Sequence, residues 1–194
     1  FESSLPIRPG AAFAANMGSD LVILLGTRMS LYYLFGDIFN KDAKIIQVDI
    51  DAGEIGRNRT VDLPVVSDVS QVLKICNDII EERGISNNLK QRFKSWVDSL
   101  KREEETVKAQ SLSNWKSEKI PIHPMRLMKE INDFMDRKDD FVVADGGDTQ
   151  VWMGMTRTAC SPGHYLDSGL FGCLGVGLPY ANAAKLLNRD KRVC

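Results

Sequence analysis

The sequence is poor in histidine and cysteine. Its two histidines, His123 and His164, and four cysteines, Cys76, Cys160, Cys173 and Cys194, are scattered over 194 residues with no Cys-x-x-Cys pair. Structural zinc takes its ligands in closely spaced pairs, so this spacing argues against a zinc site. The first ten residues, "FESSLPIRPG", hold no initiator methionine and no charged-then-apolar signal order. A disulfide framework is therefore not expected, and the thiols read as reduced ones in a cytoplasmic protein. Long apolar runs are missing as well: none approaches the ~20 residues that span a bilayer. Charge of one sign is not in excess either. Lys and Arg number 25 against 26 Asp and Glu, a formal net charge of −1, which speaks against nucleic-acid or membrane-surface binding driven by bulk electrostatics.

What is present is a run of short apolar segments closed by glycine or aspartate. "SDLVILLGT" (19–27) and "AKIIQVDID" (43–51) read as strands buried on both faces, and "LPVVSD" (63–68) as a third, shorter one. "YYLFGDIFNKD" between the first two has helical or loop character. After the third, Val69, Val72, Leu73, Cys76, Ile79 and Ile80 recur at helical spacing over 69–83, with Ser67 or Asp68 available as N-cap. Buried strands alternating with helices predict an α/β fold with a parallel sheet. A calcium loop is excluded in "DIDAGE", where Glu54 stands at the position needing glycine.

Residues 84–120 change character. Leu89, Phe93, Trp96, Val97 and Leu100 give one apolar face to a heavily charged, peripheral helix, and "EEETVKAQSLSNWKSEKIP" then loses its periodicity and reads as a linker. From Pro121 a new unit begins. "HPMRLMKEINDFMDRKDD" is an amphipathic helix with Pro124 in its first turn, where the missing N–H costs nothing. "FVVADGG" (141–147) reads as a strand, "DTQVWMGMTRTAC" as a helix, "GHYLDSG" as short and extended. A glycine-rich stretch leads into a last helix, and "DKRVC" reads as the start of a further strand.

Ligands of α/β sheets gather at the carboxyl ends of strands, which selects four stretches. "LLGTR" offers Gly26 for close backbone approach and Arg28 as a fixed charge. Asp49 ends "IIQVD" and serves either as a ribose acceptor or as a loop cap. Asp68 and Val69 stand at the next strand end, Asp68 as ligand or as helix cap. The pair "DGGDTQ" and "SGLFGCLGVG" either presents backbone to a ligand or permits close helix–strand packing.

In this order, "VILLGTR", "AKIIQVDIDAGEIGRNRTVDLPVVSDV", "IHPMRLM", "FVVADGGDTQVW" and "YLDSGLFGCLGVGLPYANAAKLL" resemble the thiamine-diphosphate-dependent decarboxylase and carboligase family. Acetolactate synthase-like enzymes are the nearest kind, with oxalyl-CoA decarboxylase-like and 2-hydroxyacyl-CoA lyase-like enzymes next. The resemblance implies a Rossmann-like middle nucleotide-type domain over 1–105, a linker over 106–120, and the start of a diphosphate-binding domain over 121–194. It also implies that the activating glutamate and the magnesium motif lie outside the chain, so that this stretch alone is inactive and holds neither a catalytic residue nor a metal ligand; a half-domain with open apolar strand edges is in addition expected to self-associate.

By position, the resemblance gives Gly172 a backbone carbonyl that accepts from the cofactor's 4′-amino group. Leu174 is the apolar support that keeps the cofactor bent, and Cys173 lies between them. Gly147, Asp148, Thr149 and Gln150 approach the diphosphate or substrate; Asp148 and Thr149 replace the Gln-His pair usual in acetolactate synthase-like members. Gly26, Arg28, Asp49, Asp68 and Val69 match positions that hold FAD or ADP in relatives that bind one. The implied activity is decarboxylation of a 2-keto acid such as pyruvate with transfer of the acyl carbanion equivalent, by a homo-oligomer that uses thiamine diphosphate and Mg2+. A different class, a non-catalytic nucleotide-binding module built on Gly26, Arg28, Asp49 and Asp68, is the alternative.

Overall fold

The computed structural model describes residues 9–157 and 161–194. Cys160, and the first eight residues of the opening stretch, lie outside them. Two compact units divide the described residues, Ala11–Glu103 and Glu104–Cys194 with residues 9–10, and the division at 103/104 falls inside one long helix.

The first unit holds a three-stranded parallel sheet. Helix α1 (Pro9–Gly18) precedes β1 (Leu21–Leu25); β2 (Lys44–Asp49) and β3 (Leu63–Val66) follow, in the spatial order β1-β2-β3. The register sets Leu24 beside Gln47 and Val48 beside Val65. Being central, β2 is the buried strand, with Ile45 and Val48 each 1% exposed. Contrary to the expectation for the flanking runs, β1 and β3 are not buried on both faces. Leu21, Ile23 and Leu25 alternate outward from β1, and Leu63 and Val66 are exposed on β3. Side chains of a strand alternate between faces, and only one face of β1 meets the core of Leu24, Met29, Phe39 and Ile45. Helix α2 (Val69–Glu82) has the expected amphipathic pattern yet buries no residue.

Met29 comes from just before the stretch read as helix or loop, and Phe39 from that stretch itself. It forms a 3-10 turn over Leu31–Gly36 in which Leu34 and Phe35 adopt φ of 47° and 56°. Such left-handed backbone is costly for residues with a β-carbon. Arg59 holds the end of this turn and the loop after it: its guanidinium donates to the carbonyls of Gly36, Phe39, Asn40 and Lys41 at 2.8–3.2 Å.

Two helices follow, α3 (Ser86–Arg92) and α4 (Lys94–Trp115). Residues 106–115 are thus helical, where the fading periodicity predicted a linker. Lysine, alanine, glutamine and leucine there are good helix formers, and the segment extends a helix already begun at Lys94, so no apolar stripe is needed.

In the second unit, α5 (Pro124–Phe134) starts as expected, with Pro124 in its first turn and His123 as cap, Nδ1 accepting from the Met125 amide at 3.2 Å. Strand β4 (Val142–Val143) pairs in parallel with β5 (Tyr165–Leu166). On its other side, Phe141 bridges Val193, so "DKRVC" does begin to run beside the sheet. Amides of Val142 and Ala144 bond toward β5, those of Phe141 and Val143 toward Arg192 and Cys194. That alternation makes β4 central. Helices α6 (Asp148–Thr156) and α7 (Gly177–Leu187) complete the unit. Its core is rich in methionine: Met128, Met135 and Met153 around Val142 and Ala144.

Candidate functional site

In the second unit two glycine-bearing loops meet at the carboxyl end of β4. The first is Asp145-Gly146-Gly147, leading into α6. The second runs from the 3-10 turn Gly169–Phe171 to the start of α7. Their contact is backbone against backbone. A β-carbon on Gly146 would stand 2.3 Å from the Cys173 carbonyl oxygen and 2.6 Å from that of Gly172, so only glycine fits. Gly147 has φ 75° and faces Leu174, whose Cδ2 is 3.2 Å from where a β-carbon would lie. Gly172 is left-handed at φ 59°, with open space where its β-carbon would be.

The residue that ties the loops together was not singled out from sequence. Asp145 Oδ1 accepts from the amides of Gly146 at 2.8 Å, Gly175 at 2.8 Å and Val176 at 3.0 Å. These amide bonds, with one from Gly177, hold the Asp145 carboxyl below its ordinary range. Gly177 packs so closely that a β-carbon would sit 3.1 Å from Asp145 Cβ. The signal available was an acidic residue directly before a glycine pair at a strand end.

Gln150 is 6% exposed, and its carboxamide is spent on the second loop. Nε2 donates to the Gly169 carbonyl at 3.2 Å, and Oε1 accepts from Ser168 Oγ at 3.1 Å. Gly147, Asp148 and Thr149 are exposed at the head of α6, and Cys173 is an exposed free thiol. Leu174 is 77% and Phe171 84% exposed. An apolar side chain is therefore held out over bare backbone, and among the described residues no donor reaches the Gly172 carbonyl. A separate cleft of about 530 Å3, lined in part by Phe134, Ala181, Lys185 and Arg192, contains none of the residues expected from sequence.

In the first unit the expected residues do sit at adjoining strand ends. Gly26, at φ 59°, donates to the Val48 carbonyl, and a β-carbon there would stand 3.3 Å from Val69 Cγ2. Its polar neighbours already have partners. Arg28 pairs with Glu54 at 3.6 Å, Asp49 accepts from the Asp51 amide at 2.9 Å, and Asp68 caps α2 through the Ser70 amide at 2.8 Å. The organiser here is again a residue not singled out. Gln47 is fully buried and bonds the Thr27 carbonyl, the Glu54 carbonyl and the Gly56 amide, joining the loops after β1 and β2. A lone amide inside "IIQVD" was its signal.

Both units match known domains. Residues 7–75 match the thiamine pyrophosphate enzyme central domain, and residues 145–194 match the C-terminal thiamine-pyrophosphate-binding domain. The chain belongs to the thiamine-pyrophosphate-dependent enzymes. It is 34% identical over 185 residues to a probable acetolactate synthase large subunit of Methanococcus aeolicus, covering 90% of this chain and 30% of that protein. With a probable acetolactate synthase large subunit of Methanocaldococcus jannaschii it shares 31% identity, over 91% of this chain and 29% of the relative. With 2-hydroxyacyl-CoA lyase 1 of Mus musculus it shares 29%, over 91% and 30%. The chain thus spans about 30% of the length of the curated relatives it matches. The first match ends inside α2, and the second takes in both glycine loops. No helix among the described residues is long and apolar enough to cross a membrane.

Proposed function

We propose that this chain forms part of a thiamine-diphosphate enzyme of acetolactate synthase type, which decarboxylates a 2-keto acid such as pyruvate and transfers the acyl unit. The observation that carries the reading is Leu174, apolar and 77% exposed, held over Gly147 where the two glycine loops meet. An exposed leucine braced by backbone is a platform for an apolar ring, and the residues around it fit such a group. Thiamine diphosphate, when bound, supplies the electron sink that loss of carbon dioxide from a 2-keto acid requires.

The chain's own residues bind and orient. Leu174 supports the ring system from below and keeps water from it, since water weakens every electrostatic contact in such a site. The Gly172 carbonyl, without a donor of its own, accepts from an amino group of the cofactor. Gly147, Asp148 and Thr149 lie where the diphosphate approaches, with the free amides of the first turn of α6 behind them. Gln150 acts through Gly169, and Cys173 holds Gly172 and Leu174 at the right spacing. Mg2+ is included on the family resemblance. Among the described residues no three metal-ligating side chains cluster, and none is assigned to it. FAD or ADP at Gly26, Arg28, Asp49, Asp68 and Val69 requires Arg28 to leave Glu54; calorimetry with each nucleotide tests that step. A homo-oligomer in the cytoplasm completes the proposal.

The decisive variant is Leu174→Asp in the protein that carries this chain. Thiamine-dependent release of carbon dioxide from pyruvate should vanish, while Leu187→Asp, an exposed leucine at the far end of α7, retains it. Full activity in Leu174→Asp sinks the assignment. Turnover of a 2-hydroxyacyl-CoA without turnover of pyruvate would instead favour the lyase named among the relatives.

A further inference from the structure

Asp145 touches no group assigned to cofactor or substrate, yet both loops of the site depend on it. One oxygen gathers three amides, from Gly146 in its own loop and from Gly175 and Val176, 30 and 31 residues further on. Carboxylate–amide bonds are charge-assisted and roughly twice as strong as neutral ones. The bonds fall immediately after Gly172–Leu174 and immediately before Gly147, so they bracket the two contacts on which the site depends. Gly146 transmits the constraint, because its missing β-carbon lets the Gly172 and Cys173 carbonyls rest on it. Gly177 does the same from the helix side, against Asp145 Cβ. The carboxylate also occupies the amides at the head of α7, whose partial positive charge would otherwise attract an anion. Of the two helix starts beside the loops, α6 alone is left open.

We infer that Asp145 is the positioning residue of the thiamine-diphosphate site: it sets the height of Leu174 and the direction of the Gly172 carbonyl by pinning the second glycine loop to the first. This rests on the function proposed above. Removing the carboxylate frees the amides of Gly175 and Val176, and the loop that carries Leu174 is no longer held over Gly147. Cofactor affinity then falls because the apolar platform is no longer pre-organised.

The test is calorimetric binding of thiamine diphosphate, with Mg2+, to the protein that carries this chain, as wild type, D145A and D145N. Affinity should fall by about tenfold or more in D145A. It should fall by less in D145N, which keeps an acceptor oxygen without the charge. In parallel, hydrogen exchange at Gly175 and Val176 should quicken while β2 in the first unit stays protected. Lost protection with cofactor affinity unchanged in D145A would reduce Asp145 to a helix cap and overturn the inference. Should D145A fail to fold, D145N decides: affinity equal to wild type overturns it, and weakened affinity with an unchanged melting temperature supports it. Wild-type protein that binds no thiamine diphosphate overturns the cofactor reading itself, an outcome distinct from either.

Discussion

Arg192 lays its guanidinium across both carboxylate oxygens of Asp140, 52 positions earlier in the chain. Asp140 is 1% exposed and also accepts from the Arg137 amide at 2.9 Å, so every part of the carboxylate is engaged. Arg192 reaches Asp136 at 2.9 Å as well and lies over the Phe134 ring. The pair anchors the backbone of Val193 beside Phe141 and so supplies β4 with its second neighbour. With β4 flanked on both sides, its carboxyl end, where Asp145 begins the site, has a fixed direction.

Acid should therefore destabilise the second unit. The Arg192 guanidinium holds the Asp140 carboxyl below its ordinary 3.8, and backbone amides do the same for Asp145. A carboxyl depressed in the folded state contributes stability that is complete above the unfolded value and lost as pH falls through the folded one. The melting temperature should be level down to about pH 5 and decline below about pH 4. Asp140→Asn should melt lower at neutral pH and show a shallower acid decline. Parallel curves for the two proteins would contradict the assignment.

Gly146→Ala should disrupt the loop contact directly. Its methyl group would meet two carbonyl oxygens inside 2.6 Å, backbone atoms that cannot swing aside. Overpacking of this kind costs about 1–3 kcal/mol. Urea denaturation measures it; a midpoint equal to wild type would mean that the two loops are not in contact.

Met153→Ala probes the second core. Met153 is 3% exposed among Met128, Met135, Val142 and Ala144, so truncation opens a cavity costing about 2–5 kcal/mol. Tryptophan fluorescence reports the loss, since Trp152 packs against the same cluster. Full retention of the folded signal at the wild-type midpoint would place Met153 outside the core.

Gln47→Leu tests the organiser of the first unit. The change keeps the volume but leaves the Gly56 amide and the Thr27 and Glu54 carbonyls without their partner. An unsatisfied polar group costs about 1–3 kcal/mol. Amide exchange in the loop of residues 51–59 should quicken in step. Unaltered exchange there would show that the amide of Gln47 is dispensable.

Much of this protein could be read from local pattern alone. The apolar runs of β1, β2 and β3, the Asp68 cap of α2 and Pro124 at the head of α5 are decided within a few residues, by side-chain period, capping geometry and the fixed φ of proline. The order of the glycine blocks carried the family. Local pattern misled where a helix lacks an apolar stripe, at the end of α4, and where a strand is apolar on a face that no other element covers among the described residues, as in β1. What tertiary structure alone decided is which distant groups meet. Asp145 with Gly175, Gln47 with Thr27, Arg59 with the carbonyls after the 3-10 turn and Arg192 with Asp140 are paired by the register of parallel strands and the reach of single side chains. Parallel strands are joined by long connections, so no short stretch of sequence encodes those meetings; they exist only once the sheet has closed.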